Sequence, residues 1–232
     1  HDIRLGDVVV GSPGYGNGGI FQYDHGKTIQ GKTFTTTGHL NQSPQATLTA
    51  LTTLGARYEA DGHGIEEMIN DIFEKKPRLR AKYCRPAATT DRLYQSTYVH
   101  NGGDEESCES VCGGAESNFV SRSERLDNED NPAIHYGLIA SANQLMKDAL
   151  IRDKLAAEKD VLCFEMEAAG LMNHFPCLVV RGICDYSDTH KNKLWQGYAA
   201  MAAAAYAKDL LNTITPNRVE AERTLNEILS DG

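Results

Sequence analysis

The sequence lacks an apolar stretch long enough to cross a bilayer, and it also lacks clusters of Lys and Arg. Its 32 acidic residues outnumber its 23 basic residues, which gives a formal net charge of −9. A surface that binds nucleic acid or an anionic membrane needs clustered positive charge. We therefore expect neither partner, and a small molecule suits the composition better.

The six cysteines are scattered along the chain. Cys108 and Cys112 are close together, but no second pair and no group of histidines completes a zinc-binding spacing. The other four occupy more apolar surroundings, which is typical of reduced cysteine used as a small hydrophobic residue: Cys84, Cys163, Cys177 and Cys184. We expect an intracellular, cytoplasmic protein without a metal site.

A dinucleotide-binding fingerprint is also missing. Residues 5–10 (LGDVVV) have the pattern of a short buried strand, and the glycine-rich residues 11–19 (GSPGYGNGG) follow it. This loop lacks the GxGxxG spacing and does not lead into a helix. It therefore does not indicate a bound dinucleotide, and we expect no organic cofactor.

Two helices are predicted in the first half of the chain. Ser43 and Pro44 are typical of an N-cap followed by proline at the first helical position, and Leu48, Leu51 and Leu54 then share one face. The second helix ends before Pro77, and its apolar residues follow the i, i+3, i+4, i+7, i+8 pattern: Ile65, Met68, Ile69, Ile72 and Phe73.

Strands and helices alternate in the second half of the chain. Residues 101–132 are polar and rich in Gly and Ser, which predicts a long surface loop within a single domain, residues 1–232. Beyond it we predict strands at residues 134–140, 161–164 and 177–184, the last buried on both faces, and helices at residues 144–157, 165–175, 194–214 and 216–229. This alternation indicates an α/β sheet with helices on both faces.

Polar residues follow each of the three predicted strands. The first strand is followed by Asn143 and Gln144, the second by Glu165, Met166 and Glu167, and the third by Cys184 and Asp185. In a parallel sheet these ends share one edge, where open α/β sheets bind their ligands. Arg181, inside the third strand, is placed to pair with a carboxylate there.

Each of these polar residues also has a structural explanation. Asn143 can be a helix N-cap, Glu165 and Glu167 can be acidic residues of a first helical turn, and Asp185 can cap the turn that follows it. His190, in the same turn, can approach the pocket or be solvated. Because the polar groups converge at one edge, a pocket explains them better as a set.

The segments FEMEAAGL (residues 164–171) and VVRGICDYSDTH (residues 179–190) resemble the purine and uridine phosphorylase superfamily. This superfamily contains purine nucleoside phosphorylases and methylthioadenosine/adenosylhomocysteine nucleosidases. The similarity extends over residues 134–212, and it looks most like forms that occur as domains of larger fungal proteins. The resemblance implies a mixed central sheet flanked by helices, in a nucleoside phosphorylase-like three-layer fold, and a homo-oligomer.

The resemblance also implies a reaction, the cleavage of the N-glycosidic bond of a purine nucleoside of the adenosine type. Met166 and Glu167 would hold the ribose, with Glu165 supporting them. Asp185 would bond to N7 of the purine and donate a proton there, while Arg181 would position the nucleophile. Residues next to the base would be Asn143, Gln144, Leu145, Met146, Phe164 and Cys184.

Three departures from the family's pattern affect this interpretation. Cys184 stands where many members have Ser, and Leu145 stands where nucleosidases stack an aromatic residue on adenine. The N-terminal portion, with the phosphate loop and the acidic residue that activates water, is absent from this chain, which begins at His1 without Met or a signal peptide. We therefore expect either hydrolysis or phosphorolysis, with phosphate as co-substrate. A nucleoside-binding or sensor module, or a storage protein, stays open as an alternative.

Overall fold

The computed structural model describes residues 1–14, 16–103, 106–126, 129–175 and 177–215. Its strands are β1 (Val8–Gly11), β2 (Ile20–Gln22), β3 (Gly26–Lys27), β4 (Thr35–Thr36), β5 (Ile134–Ser141), β6 (Val161–Glu165) and β7 (Val180–Gly182). Its α-helices are α1 (Gln45–Asp61), α2 (Ile65–Lys75), α3 (Arg80–Tyr83), α4 (Cys108–Val111), α5 (Ala149–Lys159), α6 (Ala168–Leu171) and α7 (Trp195–Thr213). The helix predicted at residues 216–229 lies outside the described residues.

The long strand β5 is the centre of a five-stranded mixed sheet. Strands β1 and β2 pair in parallel with its first and second halves, and β6 also pairs with it in parallel. Because β2 and β6 pair with the same residues of β5, Ile139 to Ser141, they lie on its opposite edges. The predicted α/β fold with a mixed central sheet is confirmed. Strands β3 and β4 form a separate small hairpin.

Strand β7 runs antiparallel to β1, so the prediction that all three strand ends share one edge is wrong for the third strand. Gly182 pairs with Val8 and Val180 with Val10. The chain therefore leaves β7 beside the amino end of β1, away from the carboxyl ends of β5 and β6. The strand is also shorter than predicted and only half-buried, since it pairs with one neighbour and α7 packs against it.

Helices cover both faces of the sheet, as predicted. Ile139 of β5 packs into a large core together with α1, α2 and α7. Its neighbours Leu138 and Ala140 belong to a second core that includes Leu155 of α5. Successive side chains of a strand point to opposite faces, so the two cores lie on opposite sides of β5. None of the helices in the described part of the chain has the length and hydropathy needed to cross a membrane.

The predicted first turns of two helices need correction. Ser43 does not cap α1: its hydroxyl donates to the carbonyl oxygen of Cys177 at 2.9 Å, and Pro44 is the N-cap residue. Helix α5 begins at Ala149, where the Asp148 carboxylate accepts two backbone N–H groups of the first turn. Asn143 is therefore not its N-cap. The helix predicted at residues 165–175 is reduced to the four residues of α6.

A buried carboxylate joins the start of the sheet to the long polar segment before β5. Asp7, with 1% of its surface exposed, receives a two-pronged contact from Arg125, at 2.6 Å to Oδ1 and 2.5 Å to Oδ2. Its oxygens also bond to His135 Nε2 at 2.9 Å and accept the backbone N–H groups of Arg4 and Ala133. Arg125, which belongs to the predicted surface loop, is therefore held against the core.

The Asp7 carboxylate makes stability depend on acid pH. Burial alone would raise the pKa of Asp7, but the hydrogen bonds from Arg125 and His135 outweigh it and hold the pKa below its usual range. A lowered folded-state pKa stabilises the protein above the unfolded pKa, and this stabilisation is lost as the pH falls through the folded pKa.

We expect Asp7→Asn to lower the free energy of unfolding by about 3 kcal/mol at pH 7, because it leaves the Arg125 charge buried without its partner. The difference in unfolding free energy between wild type and variant should begin to narrow below about pH 4, where Asp7 of the unfolded chain becomes protonated. It should vanish as the pH falls through the lower pKa of Asp7 in the folded protein. Urea denaturation across pH measures both effects. The exposed Asp71→Asn on α2 is the matched control. A difference in unfolding free energy between wild type and Asp7→Asn that stays constant with pH would contradict a charged, stabilising Asp7.

Candidate functional site

The residues that follow β5, β6 and β7 meet in one cavity of about 510 Å³, a volume typical of a small-molecule site. Strand β6 supplies one wall along its whole length, and α5 contributes Arg152 and Ala156. Of the residues predicted for the site, the cavity lining includes Gln144, Leu145, Met146, Phe164, Glu165, Met166, Glu167, Arg181, Cys184 and Asp185. Asn143 is not in this lining; its backbone N–H donates to Asp24 Oδ2 at 2.8 Å.

The two glutamates that follow β6 have different surroundings. Glu165 is buried, and its Oε2 accepts the backbone N–H groups of Glu167 and Ala168, each at 2.9 Å. Its Oε1 makes no hydrogen bond to any described residue. Glu165 therefore holds the turn into α6, as a first-turn acid would. Because this turn is held, the backbone position of Glu167 is defined.

The Glu167 side chain is 66% exposed at the cavity, and its Oε2 lies 3.5 Å from Arg181 Nη1. An exposed pair at this distance contributes little to stability, because water screens both charges. Both groups are therefore available to a ligand. Met166, between the two glutamates, also exposes its side chain here.

Asp185 reaches the cavity from the opposite direction, because β7 is antiparallel. Its Oδ1 accepts the backbone N–H of Ser187 at 3.0 Å, and its Oδ2 lies 3.9 Å from Lys191 Nζ. Ser187 has a φ of 54°, in the left-handed region that non-glycine residues rarely adopt. The strained backbone at Ser187 forms part of a tight turn that orients the Asp185 carboxylate. The Asp185 side chain is 29% exposed.

The thiol of Cys184 adjoins Asp185 in the cavity lining. Burial raises its pKa, and the negative charge of Asp185 raises it further. At neutral pH this group is therefore a protonated thiol, a weak hydrogen-bond donor rather than a nucleophile.

The apolar part of the cavity is formed by Phe164, Leu145 and Met146. Tyr23, which the sequence did not single out, packs edge-to-face against Phe164 with 5.7 Å between ring centroids. Its hydroxyl donates to the carbonyl oxygen of Gln144 at 3.1 Å, and so holds the segment after β5. The Leu145 side chain is exposed and can contact a ligand, but it is aliphatic and cannot stack on an aromatic base.

The turn after Asp185 is held by partners that sequence reasoning missed. Arg152 Nη1 of α5 donates to the Tyr186 carbonyl oxygen at 2.7 Å. The Tyr186 hydroxyl bonds to Asp91 and accepts from Arg122 Nη1 at 2.7 Å, and burial followed by the Asp91 charge raises its pKa. These partners are 34 to 95 positions from Tyr186 in sequence, so no local motif indicates them.

Comparison with known proteins yields few matches. A scan against models of protein families finds none that matches. The chain is 42% identical over 226 residues to a nucleotide-binding leucine-rich repeat (NLR)-like protein of Hyaloscypha variabilis. The aligned region covers 97% of this chain and 21% of that protein, so the chain spans about a fifth of the relative's length.

A solved structure is also similar to the chain. It comes from Francisella philomiragia and is described as a 5′-methylthioadenosine/S-adenosylhomocysteine nucleosidase. The superposition covers 92% of this chain and 63% of that one, with 16% identity and a TM-score of 0.41.

We expect Glu165→Ala to lower the free energy of unfolding by about 1–2 kcal/mol, because two backbone N–H groups lose their acceptor. Glu165→Gln keeps an oxygen acceptor and should cost less. Chemical denaturation of both variants measures the difference, with the exposed Glu158→Ala on α5 as control. Equal losses for Glu165→Ala and Glu158→Ala would refute the capping role.

Proposed function

We propose that this chain binds a purine nucleoside in the cavity beside β6 and cleaves its N-glycosidic bond by hydrolysis or phosphorolysis. The observation that carries the proposal is that Glu167, Arg181 and Asp185 line one cavity of suitable size, together with an apolar wall. The sequence resemblance to the purine and uridine phosphorylase superfamily supports the same reaction. The proposed substrate is adenosine or a 5′-modified adenosine.

The sugar would lie at the turn after β6. Glu167 is exposed and only loosely paired, so its carboxylate can accept hydrogen bonds from the 2′- and 3′-hydroxyls. Met166 would pack against the ribose, and Glu165 would keep this turn in place. Breaking the glycosidic bond builds positive charge on the sugar, and a nearby carboxylate stabilises that charge.

The base would lie between the apolar wall and Asp185. A purine leaves as an anion unless it is protonated, so we assign Asp185 as the general acid at N7, which contributes about 10²–10⁴-fold to the rate. Phe164 and Leu145 would contact the ring, and backbone groups of residues 144–146 would read its edge. Arg181 would position the nucleophile, either water or phosphate as co-substrate. The reaction requires no metal or organic cofactor, and self-association is part of the same proposal by resemblance.

A second candidate function is nucleoside sensing without turnover. The observation that favours it is the relative from Hyaloscypha variabilis, whose name describes an NLR-like protein nearly five times as long as the aligned region. A domain of such a protein can report ligand binding without cleaving the ligand. The same residues would then bind the nucleoside, and no free base would appear.

Chromatography of adenosine, inosine and methylthioadenosine after incubation with the chain distinguishes these functions. Free base that forms only with added phosphate means phosphorolysis, and free base in both conditions means hydrolysis. Intact nucleoside combined with saturable binding by calorimetry supports the sensor. If neither cleavage nor binding of any nucleoside is detected, both proposals are refuted.

We expect Asp185→Asn to reduce kcat by about 10²–10⁴-fold with little change in nucleoside affinity, because the amide cannot donate the acidic proton. Steady-state kinetics and binding of the same nucleoside measure the two quantities. Asp71→Asn, on the exposed face of α2, is the matched control. Unchanged kcat in Asp185→Asn would exclude the acid assignment.

We expect Glu167→Gln to reduce kcat/KM by about 10–100-fold and also to weaken binding, since hydrogen bonds to a charged acceptor are lost. A 2′,3′-dideoxy nucleoside lacks the hydroxyls that Glu167 is proposed to bind. Wild type and variant should therefore bind this compound with similar affinity. The control is Glu74→Gln on α2. The ribose assignment fails if the variant loses as much affinity for the dideoxy compound as for the parent nucleoside.

A further inference from the structure

The structure brings His100 next to Cys108 and Cys112, although the first cysteine is eight positions further along the chain. The cysteines are four positions apart at the two ends of α4, so they lie on one face of its single turn. His100 Nδ1 lies 3.1 Å from Cys112 Sγ and 3.7 Å from Cys108 Sγ. All three ligand atoms lie within 4.8 Å of one another.

These separations match the edges of a tetrahedral zinc site. Zinc lies about 2.3 Å from thiolate sulfur and about 2.0–2.1 Å from an imidazole nitrogen, which places S and N about 3.6 Å apart. The two measured S···N distances bracket that value. Two thiolates with an imidazole also form a donor set that suits zinc better than the hard cations Mg²⁺ and Ca²⁺.

A second, independent observation points to a ligand at this place. His190 is 6% exposed; its Nδ1 lies 3.4 Å from Asp188 Oδ2, and its Nε2 makes no hydrogen bond to any residue that the structure describes. Its ring stacks on Tyr94 at 3.7 Å, and its centroid is 6.1 Å from that of His100. A buried polar atom without a partner, here His190 Nε2, calls for an explanation. The carboxylate of buried Asp188 is close enough to act electrostatically on both thiols, and it favours a cation.

We propose that His100, Cys108 and Cys112 bind a zinc ion and that His190 completes its coordination. The sequence did not predict this centre, because C-x₃-C without a nearby histidine pair matches no zinc spacing. The site is separate from the proposed catalytic cavity, and none of its four residues lines that cavity. The inference is therefore independent of the proposed reaction.

The position of the centre indicates a structural role. The backbone N–H of His100 donates to Thr189 Oγ1 at 2.9 Å, and Cys108 Sγ lies 3.9 Å from the carbonyl oxygen of Lys191. A bound ion would add coordinate bonds between residues 100–112 and residues 188–191. The latter follow Asp185 directly, so zinc would also stabilise the turn that orients this carboxylate.

Metal analysis of the chain, purified under reducing conditions without added chelator, tests the proposal. We expect about one zinc ion per chain by mass spectrometry, and loss of most of it in Cys108→Ser and Cys112→Ser. The exposed Cys84→Ser is the matched control and should keep its zinc. Equal zinc loss in Cys84→Ser, or a metal-free wild type that does not take up zinc after reduction, would overturn the proposal.

Cobalt substitution provides a readout that does not depend on folding of the cysteine variants. Co²⁺ added to the zinc-free wild type should give thiolate-to-cobalt charge-transfer absorption and the visible bands of a tetrahedral ion. Octahedral cobalt bands without charge transfer would refute thiolate coordination. His190→Ala should weaken zinc binding at least 10-fold in competition with a chromophoric chelator. Unchanged affinity in that variant would remove His190 from the site.

Discussion

The buried carboxylate of Asp7 is the contact on which the arrangement of the sheet depends. It lies just before β1, and it binds the side chain of His135 and the backbone N–H of Ala133, both at the start of β5. Arg125 neutralises it with two hydrogen bonds from the segment that precedes β5. A charge this deeply buried is tolerated only when paired and hydrogen-bonded. One group therefore sets how β1, β5 and the polar segment lie together.

The candidate site follows from the way the strands around β5 end. Strand β6 is parallel to β5 and delivers Glu165 and Glu167 at its carboxyl end, whereas antiparallel β7 delivers Asp185 from the other direction. The cavity therefore runs along β6 instead of lying at a single sheet edge. Glu165 is fixed by backbone hydrogen bonds, while Glu167 and Asp185 remain partly exposed. Such a division between a supporting and two accessible carboxylates suits a binding site that must keep its shape.

The turn after β7 connects the cavity with the proposed zinc centre. Asp185 lines the cavity, and Thr189, four residues later, contacts the backbone of His100. Arg152 and Asp91 hold the residues between them from two other parts of the chain.

The sequence by itself determined the fold class and most helices and strands, and ten of the eleven residues it suggested for a site lie in the lining of one cavity. Those features depend on local periodicity and on a contiguous motif, the EME segment, which short stretches of chain encode. Only the tertiary structure decided the direction of β7, the supporting roles of Tyr23 and Arg152, and the meeting of His100 with Cys112. These depend on contacts between residues far apart in sequence, and a pattern along one strand carries no information about the direction of its neighbour. The residues that line the cavity could thus be suggested from local sequence, whereas their arrangement required the assembled sheet.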